Sequence, residues 1–327
     1  MLHPDPAVLR AAILLLPLIG VFIAVLVQRP GYFQSVGMLL GVLLNIPYLF
    51  LLNILAEQMG WWVYVATPLS WYNIPIEIVL GWSILWGAFL PFVFRSTSIW
   101  IPIATAAFID LIAMPVIPGL FVLGEGGLAE NWLVGEVLLL MVCLVPSLVI
   151  FRLTDARRKV LTRGLIQSVI WGGWVIFLIP AIALQLNNKD IFDFFEMSTL
   201  RTSMFLIGMA GSMVIGYLAL VELALKGQGT PIPFDPPKHL VVSGIYSRVA
   251  NPLQLSTVLM LTCIMFAFAS LLMLVPIAVF IFFSEVFVRW HHTIDIEKRF
   301  GSDWINYRRR VRKWLPSAWI AQLRFIF

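Results

Sequence analysis

Two polar stretches of this sequence bring together residues whose types and spacing could do chemistry. The first reads Lys226-Gly-Gln-Gly-Thr-Pro-Ile-Pro-Phe-Asp-Pro-Pro-Lys-His-Leu, then Ser243-Gly-Ile-Tyr-Ser-Arg, then Asn251-Pro-Leu-Gln. Four prolines between Pro231 and Pro237 lack a backbone N–H and forbid a helix, so a stiff, extended path is expected. Gly227 and Gly229 would let backbone amides come close to a ligand. Ser243-Gly244 marks a turn, and Asn251-Pro252 is expected to open a helix, with Asn251 as its cap. His239, Tyr246, Arg248, Asn251 and Gln254 would then crowd one mouth of a helical hairpin. The same residues also describe an ordered loop with a capped helix and a headgroup-binding arginine. The second stretch runs from His291 to Pro316. Gly301 is expected to break one helix and Ser302 or Asp303 to cap the next. Trp304, Tyr307 and Val311 share one apolar face opposite Arg308 to Lys313, which also fits a basic amphipathic anchor. Four histidines and two cysteines leave little material for a zinc site, and no metal is expected.

A second group of chemical residues consists of acids inside apolar runs, where ionisable side chains are costly and usually functional. Glu222 and Glu285 fall toward the same side as the two polar stretches. Glu77, Asp110 and Glu136 fall toward the other side, at depths differing by only about 9 Å at 1.5 Å per helical residue. Converging acids could bind a cation, relay a proton or meet a polar substrate group. The competing expectation is that each is hydrogen-bonded separately between helices.

The elements that must position these residues are membrane helices. The chain has 327 residues, 61% hydrophobic and only 12% charged, which excludes a water-soluble globular enzyme, a disordered protein and a disulfide scaffold. A span needs about 20 apolar residues. Nine runs qualify, near 8–27, 35–56, 74–94, 98–120, 131–151, 164–185, 202–225, 252–268 and 270–290, the last two short and closely joined. The first lacks a basic start and a cleavage site and is read as a retained span. Asn187 to Leu200 mixes Asp190, Asp193 and Glu196 with three phenylalanines and reads as interfacial. Alternate loops hold 19 of the 22 Lys and Arg residues, leaving Arg10, Lys189 and Arg201 on the opposite side. The positive-inside rule therefore predicts an all-α, polytopic protein with its N-terminus outside and its C-terminus in the cytoplasm. The net charge of +5 is met by anionic lipid headgroups, and no nucleic-acid partner is expected. The basic stretch from Arg152 to Arg163 divides the chain into residues 1–160, of unknown role, and residues 161–327, which carry both polar stretches.

The joint order of Gly-Thr-Pro-x-Pro-Phe-Asp-Pro-Pro, Leu-Val-x-Ser-Gly-x-Tyr and Asn-Pro-x-Gln, followed by Phe-Gly-x-x-Trp-x-x-Tyr-Arg-x-x-Val-x-x-Trp-x-Pro, resembles the isoprenylcysteine carboxyl methyltransferase superfamily. That group includes the integral-membrane phospholipid N-methyltransferases. The resemblance covers roughly residues 202–318. It implies a cytoplasmic pocket for S-adenosylmethionine, lined by His239, Leu240, Gly244, Tyr246, Asn251, Pro252 and Gln254, with a lipophilic or lipid-linked acceptor arriving from the bilayer. Glu285, Asp295 and Arg248 are the expected catalytic residues, and His291 or His292 could take a proton from an amine acceptor. The sequence departs from the family twice. Ala250 stands where an arginine is common before the hairpin. His292-Thr293 stands where a Glu-Glu pair is common, so Asp295, Glu297 or Glu285 would have to hold the cationic end of the cofactor. The implied location is a bacterial inner (cytoplasmic) membrane, with membrane lipids as partners. Asp303-Trp304-x-x-Tyr307 is also similar to the tail of NADPH-dependent sterol reductases. A non-catalytic transporter or scaffold with a degenerate pocket is the third alternative, with Glu77, Asp110 and Glu136 as its working site.

Overall fold

The computed structural model describes residues 6–64, 68–116, 121–122, 131–232, 235–288 and 296–314. They are almost wholly helical. The helices are α1 (Pro6–Gln28), α2 (Tyr32–Gln58), α3 (Ile76–Val93), α4 (Trp100–Val116), α5 (Trp132–Asp155), α6 (Val160–Gln185), α7 (Thr199–Gly227), α8 (Pro252–Ala267), α9 (Leu274–Phe283) and α10 (Glu297–Arg310). Six of them, α1, α2, α3, α5, α6 and α7, are long and apolar enough to cross a membrane; α4, α8 and α9 are shorter apolar helices. Short strands are β1 (Val63–Tyr64), β2 (Ser70–Trp71), β3 (Ile74–Pro75) and β4 (Phe121–Val122).

Three of the long helices widen into a π-turn just before a proline. The turns are Leu85–Phe89 before Pro91, Leu140–Leu144 before Pro146 and Gly173–Leu178 before Pro180. A proline inside a helix cannot donate to the carbonyl four residues back, and its ring collides with that carbonyl. Moving the carbonyl into a wider turn lets the helix continue past the proline.

The chain divides into two compact units, Met1–Lys159 and Val160–Phe327. In the first, glycines let helix backbones touch. Gly41 of α2 and Gly87 of α3 lie backbone to backbone, and Gly81 of α3 meets the carbonyl of Ile13 in α1. Lipid gives helices no hydrophobic reason to associate, so such close contacts and interhelical hydrogen bonds do the work. Asn45 of α2 donates to Ser147 Oγ of α5 at 3.0 Å. At one end, Arg95 reaches Gln28, and Arg152 donates to the Thr97 carbonyl at 2.8 Å. At the other, β1 pairs with β4, while Tyr72 and Asn73, both with positive φ, turn β2 back onto β3. Two left-handed residues are what a two-residue I′ hairpin requires.

In the second unit, α7 and α8 form the closest helix pair. Gly208, Ser212 and Gly216 make a small-residue stripe along α7, into which Cys263 and Ser256 of α8 fit. Ser256 Oγ donates to the Ser212 carbonyl at 2.7 Å. Val175, Leu184, Met209, Leu261, Ile264, Met273 and Ile277 form the core below.

Candidate functional site

The last turn of α7 widens (Leu223–Gly227) and stops at Gln228, whose φ is +52°. From there the chain folds back on itself. The Gly227 carbonyl accepts from Lys238 N at 2.7 Å and His239 N at 3.2 Å, so the proline segment closes into a loop. This corrects the expected extended path. Few free N–H groups remain among the prolines, and those of Thr230 and Asp235 are satisfied inside the loop, by the carbonyls of Asp235 and Ile232. Gly229 packs directly on Pro236 and Pro237, where a side chain would not fit. Of the two glycines expected to admit a ligand, Gly229 admits the loop's own backbone, and Gly227 is filled by the side chains of Val241 and Pro237. Arg163 of α6 anchors the loop from below, 2.7 Å from Asp235, with side chains only 2% and 8% exposed.

Beyond the loop, Glu222 forms a collar with Lys226 and Ser243: Lys226 Nζ lies 2.9 Å from Glu222 Oε2, and Ser243 Oγ donates to the same oxygen at 3.0 Å. Gly244 sits against this carboxyl with φ +56°. Tyr246 is buried on Ala219, Leu223 and Val241, and burial pushes its phenol well above the ordinary tyrosine range.

The second polar stretch closes over the first. Tyr307 Oη donates to the Tyr246 carbonyl at 2.7 Å. Ala250 N donates to the Arg312 carbonyl at 2.8 Å, and Asn251 N to that of Lys313 at 3.1 Å. Arg299 reaches the Pro237 carbonyl. Lys313 Nζ donates to Glu285 Oε2 at 2.5 Å and Trp314 Nε1 to Glu285 Oε1 at 2.8 Å. Tyr307 and Val311 of the expected apolar face are therefore buried, and Trp304 packs its ring against Tyr307. Burial raises the Tyr307 phenol to about 12, against a smaller lowering by Arg308.

Among the residues singled out from sequence, His239, Gly244 and Arg248 are exposed, Leu240, Gln254 and Glu285 half-buried, and Tyr246, Asn251 and Pro252 buried. Pro252 is the first residue of α8, but the Asn251 side chain makes no capping bond. Its backbone N–H is committed to the tail instead, at φ −122° and ψ 60°. Asp295, His291, His292 and Thr293 lie outside the described residues. Sequence reasoning missed Lys313 and Trp314 as the partners of Glu285, and Arg163 as the anchor of Asp235. An arginine just inside an apolar run and an aspartate between prolines were the available signals.

The first unit has its own polar centre. Trp82 Nε1 donates to Asp110 Oδ1 at 2.9 Å. Asp110 and Glu136, 1% and 5% exposed, bring their carboxyls within hydrogen-bonding reach of each other. Asn53 holds Trp62 and Tyr64 nearby, its Oδ1 accepting from both. Glu77 Oε2 is buried without a hydrogen-bond partner among the described residues. No three His, Cys, Asp or Glu side chains gather among the described residues as a metal ion would need. Compared with known proteins, the chain matches no family model, no curated protein and no solved structure.

Proposed function

We propose that this chain is an integral-membrane methyltransferase that uses S-adenosylmethionine and modifies a lipophilic or lipid-linked acceptor. The observation that carries the reading is the clasp. Two stretches that resemble one family's paired motifs are hydrogen-bonded to each other at the mouth of α8 and α9, through Tyr307–Tyr246, Ala250–Arg312 and Asn251–Lys313. The residues fit a cationic ligand at one point: Glu285 already binds an ammonium, that of Lys313. Exchange of Lys313 for the cofactor's cationic end would leave Trp314 holding the other carboxylate oxygen. When bound, the cofactor supplies a methyl group on a cationic sulfur, transferred by in-line displacement. The protein's part is to orient the acceptor and exclude water. Buried Tyr246 and Pro252 form a fixed floor, while exposed Arg248 and His239 are free to meet an acceptor's polar head. In this reading α4, α8 and α9 also cross the bilayer, giving nine crossings. The first end is outside, and the clasp lies in the cytoplasm of a bacterial inner membrane.

Calorimetry on the purified protein in nanodiscs tests the reading. S-adenosylmethionine is expected to bind, and Glu285→Gln to weaken it about tenfold, as loss of a charged hydrogen-bond partner does. Absence of measurable binding to the unmodified protein removes the proposal. The Asp110–Glu136 pair favours a second reading, a transporter or scaffold whose working site is in the first unit. That reading wins if Asp110→Asn abolishes a cellular phenotype that Tyr246→Ala leaves intact.

A further inference from the structure

At the end of α7 and α8 opposite the proline loop lies an open cavity of about 210 Å³, lined by Lys189, Asp193, Glu196, Met197, Arg201, Ala267 and Phe268. It is a built site. Lys189 Nζ donates to the carbonyls of Phe268 at 2.5 Å and Ala269 at 2.9 Å, which fixes one wall. Asn187 donates to Ser270 Oγ at 3.0 Å beside it. The turn carrying the acids is held by a reciprocal cap. Phe192 N donates to Asp190 Oδ1 at 2.8 Å, and Asp190 N to Asp193 Oδ2 at 2.9 Å. Arg201 and Glu196 have no hydrogen-bond or ion-pair partner among the described residues, although each lines the same small space as charges of the opposite sign. The segments that carry the lining residues also carry exposed apolar side chains: Phe195, next to Glu196, is 80% exposed, Leu200 precedes Arg201, and Leu186 and Leu271 are exposed as well. Large apolar side chains around a charged pocket are out of place in water and suited to the boundary between headgroups and acyl chains.

We infer that this cavity binds a zwitterionic phosphate–ammonium group, presented by an aminophospholipid of the surrounding bilayer. Arg201 offers a planar fork of donors that suits phosphate. Glu196 and the remaining oxygen of Asp193 offer acceptors for a primary ammonium. The one donor left on the Lys189 ammonium adds a second cation near the phosphate. A purely anionic headgroup would satisfy the basic side and leave two carboxylates facing it. The site is at the far end of the helices from the clasp and does not depend on the methyltransferase reading.

Native mass spectrometry of the full chain tests the inference. The protein would be released from nanodiscs of phosphatidylethanolamine and phosphatidylglycerol in equal amounts. One retained phosphatidylethanolamine is expected on the unmodified protein. Arg201→Gln is expected to reduce its retention about tenfold, as loss of a charge-assisted bond does. The double change Asp193→Asn, Glu196→Gln is expected to lower retention of phosphatidylethanolamine but not of phosphatidylglycerol. All three side chains are exposed, so folding should survive, which size-exclusion profiles check. Water-soluble phosphoethanolamine distinguishes the source. Failure to displace the lipid at millimolar concentration assigns the site to the bilayer, and displacement assigns the same chemistry to a free solute. Equal retention of both lipids, or retention unchanged by the variants, overturns the inference.

Discussion

Gly244 holds a left-handed backbone with the Glu222 carboxyl where a side chain would begin. Gly244→Ala is therefore expected to cost at least the 1–2 kcal/mol of a left-handed residue, about that much before any clash. Thermal melting in detergent checks this. Tyr307→Phe removes the donor to the Tyr246 carbonyl, and burying that oxygen unpaired should cost about 1–3 kcal/mol. The expected sign is faster proteolysis of the segment beyond residue 296, with little change elsewhere. The Tyr307 phenol also gives the clasp a pH limit. Its pKa is raised to about 12 in the folded chain, whereas an unfolded tyrosine ionises near 10. The contribution is thus fully present below about pH 10 and lost as pH rises from about 10 to 12. Tail proteolysis should be flat from pH 7 to 9 and rise above that window, more steeply in the unmodified protein than in Tyr307→Phe, which keeps only the buried Tyr246 phenol to ionise. In the first unit, Asp110→Asn keeps an acceptor for Trp82 and gives Glu136 a donor, so it should be tolerated. Asp110→Leu strands both neighbours, at about 1–3 kcal/mol for each buried group.

The helices depend on where small residues fall. Gly208 and Gly216 of α7 face Cys263 and Ser256, whereas Gly211 of the same helix faces open space. Gly216→Leu should cost about 3 kcal/mol or more by overpacking, and Gly211→Leu close to nothing, measured by melting and monodisperse yield. The existence of the helices was legible, because an apolar run of some 20 residues has few other fates. Their packing was not, since Gly208, Ser212 and Gly216 look like any small residues until a partner helix is known. The three π-turns ahead of Pro91, Pro146 and Pro180 were equally hidden, although a proline marks each of those. In the candidate site, Tyr307 and Val311 were legible as one apolar face from their spacing, but whether that face met the membrane or the loop was not, and Val311 already has extended backbone. The loop's closure was not. Proline restricts local dihedrals, but the Lys238 and His239 bonds to Gly227 that return the chain are set by tertiary fit.

Each unit of the whole molecule has its own helix contacts and core, so residues 1–159 and 160–327 should each survive separate expression in membranes. Circular dichroism and protease resistance of the two pieces check this. If the methyltransferase proposal is right, cofactor binding should stay with the second piece. The clasp also has a consequence in time. Tyr246 leaves the ribosome 61 residues ahead of Tyr307, the group that covers its carbonyl. While the chain is being made, every helix up to α9 precedes the segment that closes over the loop. A nascent chain of this protein therefore carries an open loop until α10 emerges. The clasp closes in one late step, when the basic segment folds down over a loop that is already in place.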